Sequence, residues 1–363
     1  MKKVLISGYY GFNNTGDEAI LESLSNQFSK SGIEIEALSA NPLKTQQSYG
    51  IKAYRRFNLP DIIKAIKNCD ALISGGGSLF QDATSSASFY YYLGIVVIAQ
   101  MLCKKVLVFS QGIGPLKKDY NRKVFTKIIN KIKMISVRDE ISIKELETLK
   151  IYKPEIIVTT DPVFMLESAP EEVGKNILKE SGVNFGSKLI VGIAARDWTN
   201  NKEAILQIAE TADGIIEEFD AQVVLFPFHY PEDLDFANGI AEKMRSKPCI
   251  LKGEYKPSEI MSAIGLMDIN IGVRLHALIF SVCMGVPVIG ITYDPKIDGF
   301  LNTMGLKPIC RYDNIQREQI IKEIQRIINN RDEIVKAIAE TRDSAKQKSF
   351  ENLEKLMEVV ENG

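Results

Sequence analysis

Arg274 and His276 lie in a short segment where charged side chains meet the end of a strand and the start of a helix. Both residues follow the apolar run Ile269–Val273, and the residues after them have a helical pattern. Backbone amides at the start of a helix favour anions, and a guanidinium beside them adds a bidentate donor for phosphate. The segment therefore predicts a phosphate site, and His276 is the side chain suited to proton transfer at neutral pH.

A lysine and a second histidine follow other predicted strands. Lys296 comes after the strand Val286–Ile291, so its ammonium group can point into the same crevice as Arg274. His229 ends another predicted strand, and it is the only other histidine of the chain. A structural role is the default for a lone histidine, but the neighbouring arginine favours a functional role for His276.

Arg138 ends the apolar run Met134–Val137, where a guanidinium is costly unless it meets an anion. That anion can be a group of the substrate, or it can be the side chain of a nearby aspartate. The residues themselves leave both alternatives open.

A glycine-rich segment, Gly8–Glu18, follows the first predicted strand. It contains Asn14, Gly16 and Asp17, and it opens a helix whose first amides suit an anion or a sugar hydroxyl. Its glycine spacing matches neither GxGxxG nor a P-loop. We expect a functional loop, and capping of the helix by Thr15 or Asp17 is the alternative.

Three adjacent glycines follow a second strand, within Ser74–Asp82. Gly76 and Gly77 belong to this run, which is costly in backbone entropy unless something approaches it closely. The run therefore predicts contact with a ligand or with another loop. A tight turn without a ligand is the alternative.

The segment Ala195–Trp198 holds Arg196 and the only tryptophan of the chain, again at a strand end. An aromatic ring in this position can stack on the face of a sugar, or it can pack against its neighbours. The sequence does not distinguish the two.

Short runs rich in Val and Ile alternate with amphipathic helical patterns along the chain, which predicts buried parallel strands joined by helical crossovers. Two helices are expected at Asp17–Lys30 and Ser86–Lys104, the second almost wholly apolar and therefore buried. The predicted strands are Val4–Ser7, Ala71–Ser74, Val106–Ser110, Met134–Val137, Ile156–Thr159, Leu189–Ala194, Val223–Phe226, Ile269–Val273 and Val286–Ile291.

These elements predict an α/β protein of GT-B-like architecture, with two doubly wound Rossmann-like domains facing a cleft and a C-terminal helical segment. Ligands of such sheets bind beyond the carboxyl ends of the strands, where the residues above lie. The expected limits are 1–165 for the first domain, 166–187 for a polar linker, 188–316 for the second domain and 317–363 for the helical segment.

The composition of the chain argues against several kinds of partner and site. The net charge of −1 over 363 residues gives no reason to expect a nucleic-acid partner. Five scattered cysteines without a CxxC pair argue against disulfides and a thiolate metal site, and they fit a reducing cytosol. The apolar run after Met1 is too short for a signal peptide, and no apolar stretch has the length of a membrane helix. We expect a cytoplasmic protein.

Taken together, the motifs resemble the polysaccharide pyruvyltransferase family, and most closely its CsaB-type bacterial cell-wall members. The matching segments occur in the order of the family over most of residues 1–300. They are Gly8–Leu21, Ser74–Ser85, Gln111–Pro115, Val137–Asp139, Asp161–Phe164, Val273–Leu278 and Gly285–Phe300.

The resemblance implies a transferase that needs neither metal nor cofactor and uses phosphoenolpyruvate as a co-substrate and a sugar as acceptor. It implies that Arg138, Arg274, Leu275, His276 and Lys296 surround the phosphoenolpyruvate. His276 would carry the proton, and Asp17 would assist the acceptor hydroxyl.

The remaining site residues are expected at the acceptor or in its loops: Asn14, Gly16, Gly76, Gly77, Arg196 and His229. The segments around Arg196 and His229 depart from the family pattern, with Asp197 in place of an expected proline. These departures concern the acceptor.

For a CsaB-type member, the acceptor would be N-acetylmannosamine in a lipid-linked precursor of a secondary cell-wall polymer. The ketals of that polymer would anchor surface-layer proteins, and the enzyme would meet the inner face of the membrane through its acceptor. Two other functions compete with this interpretation. They are a GT-B nucleotide-sugar glycosyltransferase and a non-catalytic sugar-binding protein.

Overall fold

The computed structural model describes residues 2–83, 85–186, 188–198 and 202–362 of the chain. Thr84 in the family-like segment Ser74–Ser85 and Ser187 at the end of the predicted linker lie outside these residues. The chain forms two compact units. The first extends to Leu166 and also includes the C-terminal stretch from Ala345, and the second is Glu167–Ser344.

The described part of the first unit contains one parallel sheet of seven strands in the order β3-β2-β1-β4-β5-β6-β7. This is the doubly wound order, which reverses direction between β1 and β4. The strands are β1 (Lys3–Ser7), β2 (Glu34–Ser39), β3 (Lys52–Arg55), β4 (Ala71–Gly75), β5 (Lys105–Gln111), β6 (Met134–Val137) and β7 (Glu155–Val158).

Helices follow the strands of the first unit and bury their apolar sides against the sheet. They are α1 (Thr15–Ser31), α2 (Pro42–Tyr49), α3 (Leu59–Asn68), α4 (Ser86–Met101), α5 (Asp119–Ile129) and α6 (Glu140–Thr148), followed by a short 3-10 helix (Pro162–Met165).

The described part of the second unit contains a parallel sheet of six strands in the order β10-β9-β8-β11-β12-β13. The order is again doubly wound, and it reverses between β8 and β11. The strands are β8 (Ile190–Ala194), β9 (Gln222–Leu225), β10 (Cys249–Ile250), β11 (Ile269–Gly272), β12 (Val288–Thr292) and β13 (Cys310–Arg311).

The helices of the second unit enclose a core built from aliphatic residues of that sheet. The first of them, α7, lies inside the stretch expected to be a linker, and the last begins in this unit and ends in the first. They are α7 (Glu171–Glu180), α8 (Lys202–Phe219), α9 (Glu232–Lys243), α10 (Pro257–Ile264), α11 (Leu275–Cys283), α12 (Pro295–Thr303), α13 (Arg317–Asn329) and α14 (Arg331–Glu361).

Each predicted strand is confirmed to within two residues at either end, and the structure adds four others. Of these, β2 lacks an apolar run because Glu36 lies in its centre. That carboxylate is fully buried, and Lys3 and Lys52 contact it at 3.3 and 3.2 Å. The other three are edge strands: β3 begins and ends with a basic residue, and β10 and β13 have only two residues each.

The predicted helix Ser86–Lys104 is present as α4, but it is buried only on one side. Phe89, Leu93 and Val96 are buried, whereas Tyr90 and Met101 are exposed. The long charged pattern expected from Arg317 is present as two helices.

The loop after β1 packs closely against the loop after β4, where the sheet of the first unit reverses. A side chain on Gly8 would meet the carbonyl oxygen of Gly75 and the ring of Tyr10, both at 2.4 Å. Gly11 has a φ of +82°, which favours glycine. Contact with another loop therefore explains the glycines of the first segment.

The end of α14 belongs to the first unit and fixes the strand ends near Arg138. The Ser349 hydroxyl donates to the carbonyl oxygen of Asp161 at 2.9 Å. The Asn352 amide donates to the hydroxyls of Ser110 and Ser136 at 3.0 and 3.1 Å. The C-terminal helix thereby supports the carboxyl edge of this sheet.

Replacing Gly8 by alanine is expected to destabilise the first unit, because the added methyl group has no space. We expect a loss of about 1–3 kcal/mol in the free energy of unfolding, typical of an overfilled site, measured by urea denaturation. Gly94→Ala is the matched control. Apart from its sequence neighbours and the backbone of α4, no atom of the described residues lies within 4 Å of the new methyl group, so that variant should be unchanged or more stable. Equal stability of the two variants would contradict the packing described.

Candidate active site

Six of the candidate site residues lie at one edge of the second unit, beyond the carboxyl ends of its strands. Arg196 follows β8, and His229 follows β9. Arg274 and Lys296 follow β11 and β12, which pair in parallel register. Leu275 and His276 are the first residues of α11. Because β8 and β11 flank the reversal of the sheet, this edge is where doubly wound sheets bind ligands.

Arg274 is held by a buried carboxylate. Its Nε donates to Oδ2 of Asp233 at 2.9 Å, and its Nη2 donates to the other oxygen. The two side chains are only 11% and 2% exposed. The bidentate contact fixes the plane of the guanidinium, and Nη1 of Arg274 has no hydrogen-bond partner among the described residues. This group is available for an anion.

Asp233 also joins Arg274 to the loop that carries His229. Its Oδ2 accepts hydrogen bonds from the backbone amides of Phe228 and His229, at 3.1 and 3.0 Å. The His229 ring lies 3.8 Å from the carboxylate of Glu232. The sequence patterns did not single out Asp233, which holds both Arg274 and this loop. A buried arginine at a strand end requires a compensating partner, but the sequence does not show which residue of another element provides it.

The starts of two helices lie beside Arg274. Arg274 is the N-cap of α11, so the first amides of this helix, at Leu275 and His276, have no partner within it. Lys296 lies in the first turn of α12, whose N-cap Asp294 accepts from the Lys296 amide at 2.9 Å. The edge thus combines helix N-termini with cationic side chains, an arrangement that stabilises phosphate and carboxylate groups.

An aromatic group surrounds Arg196 at the same edge. The ring centroids of Trp198 and Tyr293 lie 4.4 Å apart. The central carbon of the Arg196 guanidinium lies 5.2 Å from the Trp198 centroid and 5.5 Å from the Tyr293 centroid. Tyr312 donates to the carbonyl oxygen of Arg196 at 2.7 Å, and burial raises its pKa to about 12. Trp198 therefore packs against its neighbours, the simpler of the two alternatives.

In the first unit, Arg138 forms an ion pair with Asp161, and both side chains are buried. The salt bridge to a nearby aspartate is therefore present. A methyl group on Gly77 would lie 3.7 Å from Oδ1 of Asp17 and 3.9 Å from Nη2 of Arg138. The structure thus brings Asp17, Gly77 and Arg138 together at the edge of this sheet.

The loop before α1 is fixed by two side chains. Asn14 caps α1, and its side chain accepts from the Gly16 amide at 3.1 Å. Capping by Thr15 or Asp17, the alternative to a functional loop, is therefore wrong, because the helix begins at Thr15 and Asn14 caps it. Glu18 accepts from the Gly11 amide at 2.7 Å and from the Tyr49 hydroxyl at 3.0 Å, and burial raises the pKa of its carboxyl group.

The described residues contain no group of three or more His, Cys, Asp or Glu side chains arranged to hold a metal ion. Among their helices, none has the length and apolar character needed to span a membrane.

Solved structures share this fold. MnaA of S. aureus, solved with UDP, has a TM-score of 0.68 at 11% identity and matches 99% of this chain and 96% of its own. HepE of Anabaena, solved with UDP and glucose, has a TM-score of 0.66 at 10% identity, with 100% of each chain covered. A UDP-GlcNAc 2-epimerase from Neisseria meningitidis has a TM-score of 0.64 at 14% identity, with 98% of this chain and 100% of the epimerase chain covered. The protein is therefore an α/β protein of the GT-B class.

The chain belongs to the polysaccharide pyruvyl transferase family, whose family model matches residues 14–295. This range includes Arg138, Arg274 and His276 and ends next to Lys296. The amylovoran biosynthesis protein AmsJ of Erwinia amylovora is 21% identical over 397 residues, covering 93% of this chain and 94% of AmsJ. The protein is a pyruvyltransferase enzyme, which confirms the activity expected from the motifs.

Asp233→Asn tests the role of the buried carboxylate. The substitution keeps the shape of the side chain but removes the charge that orients Arg274. We expect pyruvyl transfer to fall about 10- to 100-fold per folded enzyme, because a misplaced binding group impairs the alignment of reactants. Asp235→Asn, at an exposed position in the same helix, is the control and should be unaffected. Full activity of the Asp233→Asn enzyme would exclude this positioning role.

Proposed function

We propose that the enzyme transfers pyruvate from phosphoenolpyruvate to N-acetylmannosamine in a lipid-linked precursor of a secondary cell-wall polymer. The observation that carries the donor assignment is the bidentate contact of Arg274 with buried Asp233 at the start of α11. It supports a rigid site for a compact anion, with His276 in the first turn of the same helix.

Phosphoenolpyruvate carries a phosphate and a carboxylate close together, and the edge of the second unit offers complementary groups. In this proposal Arg274 and the first amides of α11 bind the phosphate, and Lys296 binds the carboxylate. Leu275 supplies one of these amides. The contribution of Arg138 to donor binding remains a prediction from the family resemblance.

The proposed reaction conserves atoms and charge. A proton carried by His276 is added to the methylene carbon of phosphoenolpyruvate, which becomes a methyl group, while a sugar hydroxyl oxygen bonds to the adjacent carbon. The bond from that carbon to the phosphate oxygen then breaks. A second hydroxyl of the same sugar takes its place and closes a cyclic ketal. Of the two hydroxyl protons, one replaces the proton given by the histidine and the other leaves with phosphate.

The acceptor side of the proposal rests on the CsaB-type resemblance. Asp17 would accept a proton from the attacking hydroxyl, while Asn14, Gly16, Gly76 and Gly77 would shape the loops beside it. Arg196 and His229 would contact other parts of the acceptor. The lipid carrier would bring the cytoplasmic enzyme to the inner face of the membrane, and the ketals of the finished polymer would anchor surface-layer proteins.

Phosphate release from phosphoenolpyruvate tests the reaction. With a chromogenic N-acetylmannosaminide or its lipid-linked form, we expect release that depends on acceptor. His276→Ala should lower this rate about 10²- to 10⁴-fold, the usual effect of removing a general acid or base. Lys296→Ala should raise KM for phosphoenolpyruvate, whereas Lys307→Ala, at an exposed lysine after the same helix, should not.

A near-normal rate for His276→Ala would remove that residue from the mechanism. No release with any acceptor, together with thermal stabilisation by a nucleotide sugar but not by phosphoenolpyruvate, would contradict the proposed donor. That result would indicate a nucleotide-sugar glycosyltransferase instead.

A further inference from the structure

Arg56, in the first unit, is a buried guanidinium without a carboxylate partner among the described residues. The side chain lies at the end of β3, and the residue is 3% exposed. Its Nη1 donates to the carbonyl oxygen of Gly8 at 2.8 Å and its Nη2 to the hydroxyl of Tyr92 at 3.0 Å. Its Nε makes no hydrogen bond within the described residues. Another type of interaction must therefore stabilise the charge.

Five aromatic rings surround the Arg56 guanidinium and supply that stabilisation. The carbon at its centre lies between 4.6 and 5.9 Å from each ring centroid, within the distance at which a cation is attracted to a ring face. The rings are those of Tyr9, Phe12, Phe57, Tyr91 and Tyr92.

Four of these rings form a continuous surface that reaches solvent. We call Tyr9, Phe12, Phe57 and Tyr91 the aromatic platform. The rings of Tyr9 and Phe12 are stacked, with their centroids 4.2 Å apart. The ring centroid of Phe57 lies 6.4 Å from that of Phe12 and 5.5 Å from that of Tyr91. Phe57 is 71% exposed, and the other three are partly buried. Large exposed aromatic residues that adjoin one another mark a binding surface more often than isolated ones do.

The platform is held rigidly beside candidate acceptor residues of the same unit. Tyr9 and Phe12 belong to the loop that continues into Asn14 and Asp17. Glu18 accepts from the amide of Gly11, which lies between Tyr9 and Phe12 in the sequence, and the Tyr91 hydroxyl donates to the carbonyl oxygen of Arg56 at 2.7 Å. A preorganised surface loses little entropy when it binds a ligand.

The chemistry of the platform selects a neutral ligand with apolar faces. Its cation site is already occupied by Arg56, so a second cation on the outer side would be repelled. A pyranose ring presents a face of C–H bonds to an aromatic ring and keeps its hydroxyls at the periphery. Several adjoining rings provide more surface than one sugar covers, and the family to which this enzyme belongs acts on saccharides.

We propose that the aromatic platform binds the sugar unit next to the one that receives pyruvate. The enzyme then recognises an acceptor longer than a single sugar, and the bound neighbour sets which hydroxyls reach the loop that carries Asp17. The proposal rests on the saccharide acceptor of the proposed function and extends it to the length of that acceptor.

Isothermal titration calorimetry tests binding independently of turnover. The probes are chromogenic disaccharides ending in N-acetylmannosamine, N-acetylglucosamine, glucose or galactose, each compared with its monosaccharide. We expect the wild-type enzyme to bind the best disaccharide at least tenfold more tightly than its monosaccharide. Phe57→Ala should weaken disaccharide binding about tenfold, which corresponds to the loss of one aromatic contact. Phe57→Trp should keep the wild-type affinity. Tyr120→Ala is the control, because Tyr120 is 69% exposed in the same unit but outside the platform.

The outcomes separate this proposal from the proposed reaction. Equal affinity for disaccharides and monosaccharides, or an unchanged Kd in Phe57→Ala, would overturn the platform as a saccharide site. Normal disaccharide binding without phosphate release from phosphoenolpyruvate would contradict the reaction alone and leave the platform supported. If Phe57→Ala loses binding to phosphatidylglycerol vesicles but keeps its saccharide affinity, the platform is a membrane contact and the proposal is wrong.

Discussion

The burial of positive charge at strand ends governs how both units are built. A guanidinium withdrawn from water is tolerated only with a compensating partner, and the protein supplies partners of two kinds. Arg138 and Arg274 each meet a buried aspartate, whereas Arg56 is enclosed by aromatic rings. In each case the partner fixes the orientation of the arginine. The fold thus provides rigid cationic groups at the edges of its sheets, where doubly wound proteins bind ligands.

One of these aspartates is held by an element distant in sequence. Asp161 is fixed by α14 through Ser349, so the C-terminal helix supports the sheet edge where Arg138 lies. Asp233 lies in the first turn of α9 and fixes the loop before that helix as well as Arg274. Helices that pack on the sheets therefore also determine where the charges lie. This dependence explains why candidate residues scattered along the chain meet at two sheet edges.

Most of the strands and the strand-end positions of Arg138, Arg274 and Lys296 could be predicted, because buried parallel strands give apolar runs and these three residues follow such runs. The strand β2 was missed because buried Glu36 breaks its pattern, and its lysine partners are distant in sequence. Asp233 was missed for the same physical reason, since only the folded chain brings it to Arg274. Hydrophobic patterns in the sequence show where single strands and helices lie. Which side chains form ion pairs between these elements depends on the tertiary structure.

Isotope labelling tests whether the enzyme converts phosphoenolpyruvate and a sugar into a cyclic ketal. Phosphoenolpyruvate carrying carbon-13 at the carbon that bears the phosphate would be incubated with enzyme and acceptor in deuterium oxide and followed by NMR. The proposed reaction bonds the labelled carbon to two oxygens of one sugar. It leaves a single deuterium in the new methyl group and releases an equimolar amount of phosphate. Label that stays in phosphoenolpyruvate, or appears only as free pyruvate, would contradict it.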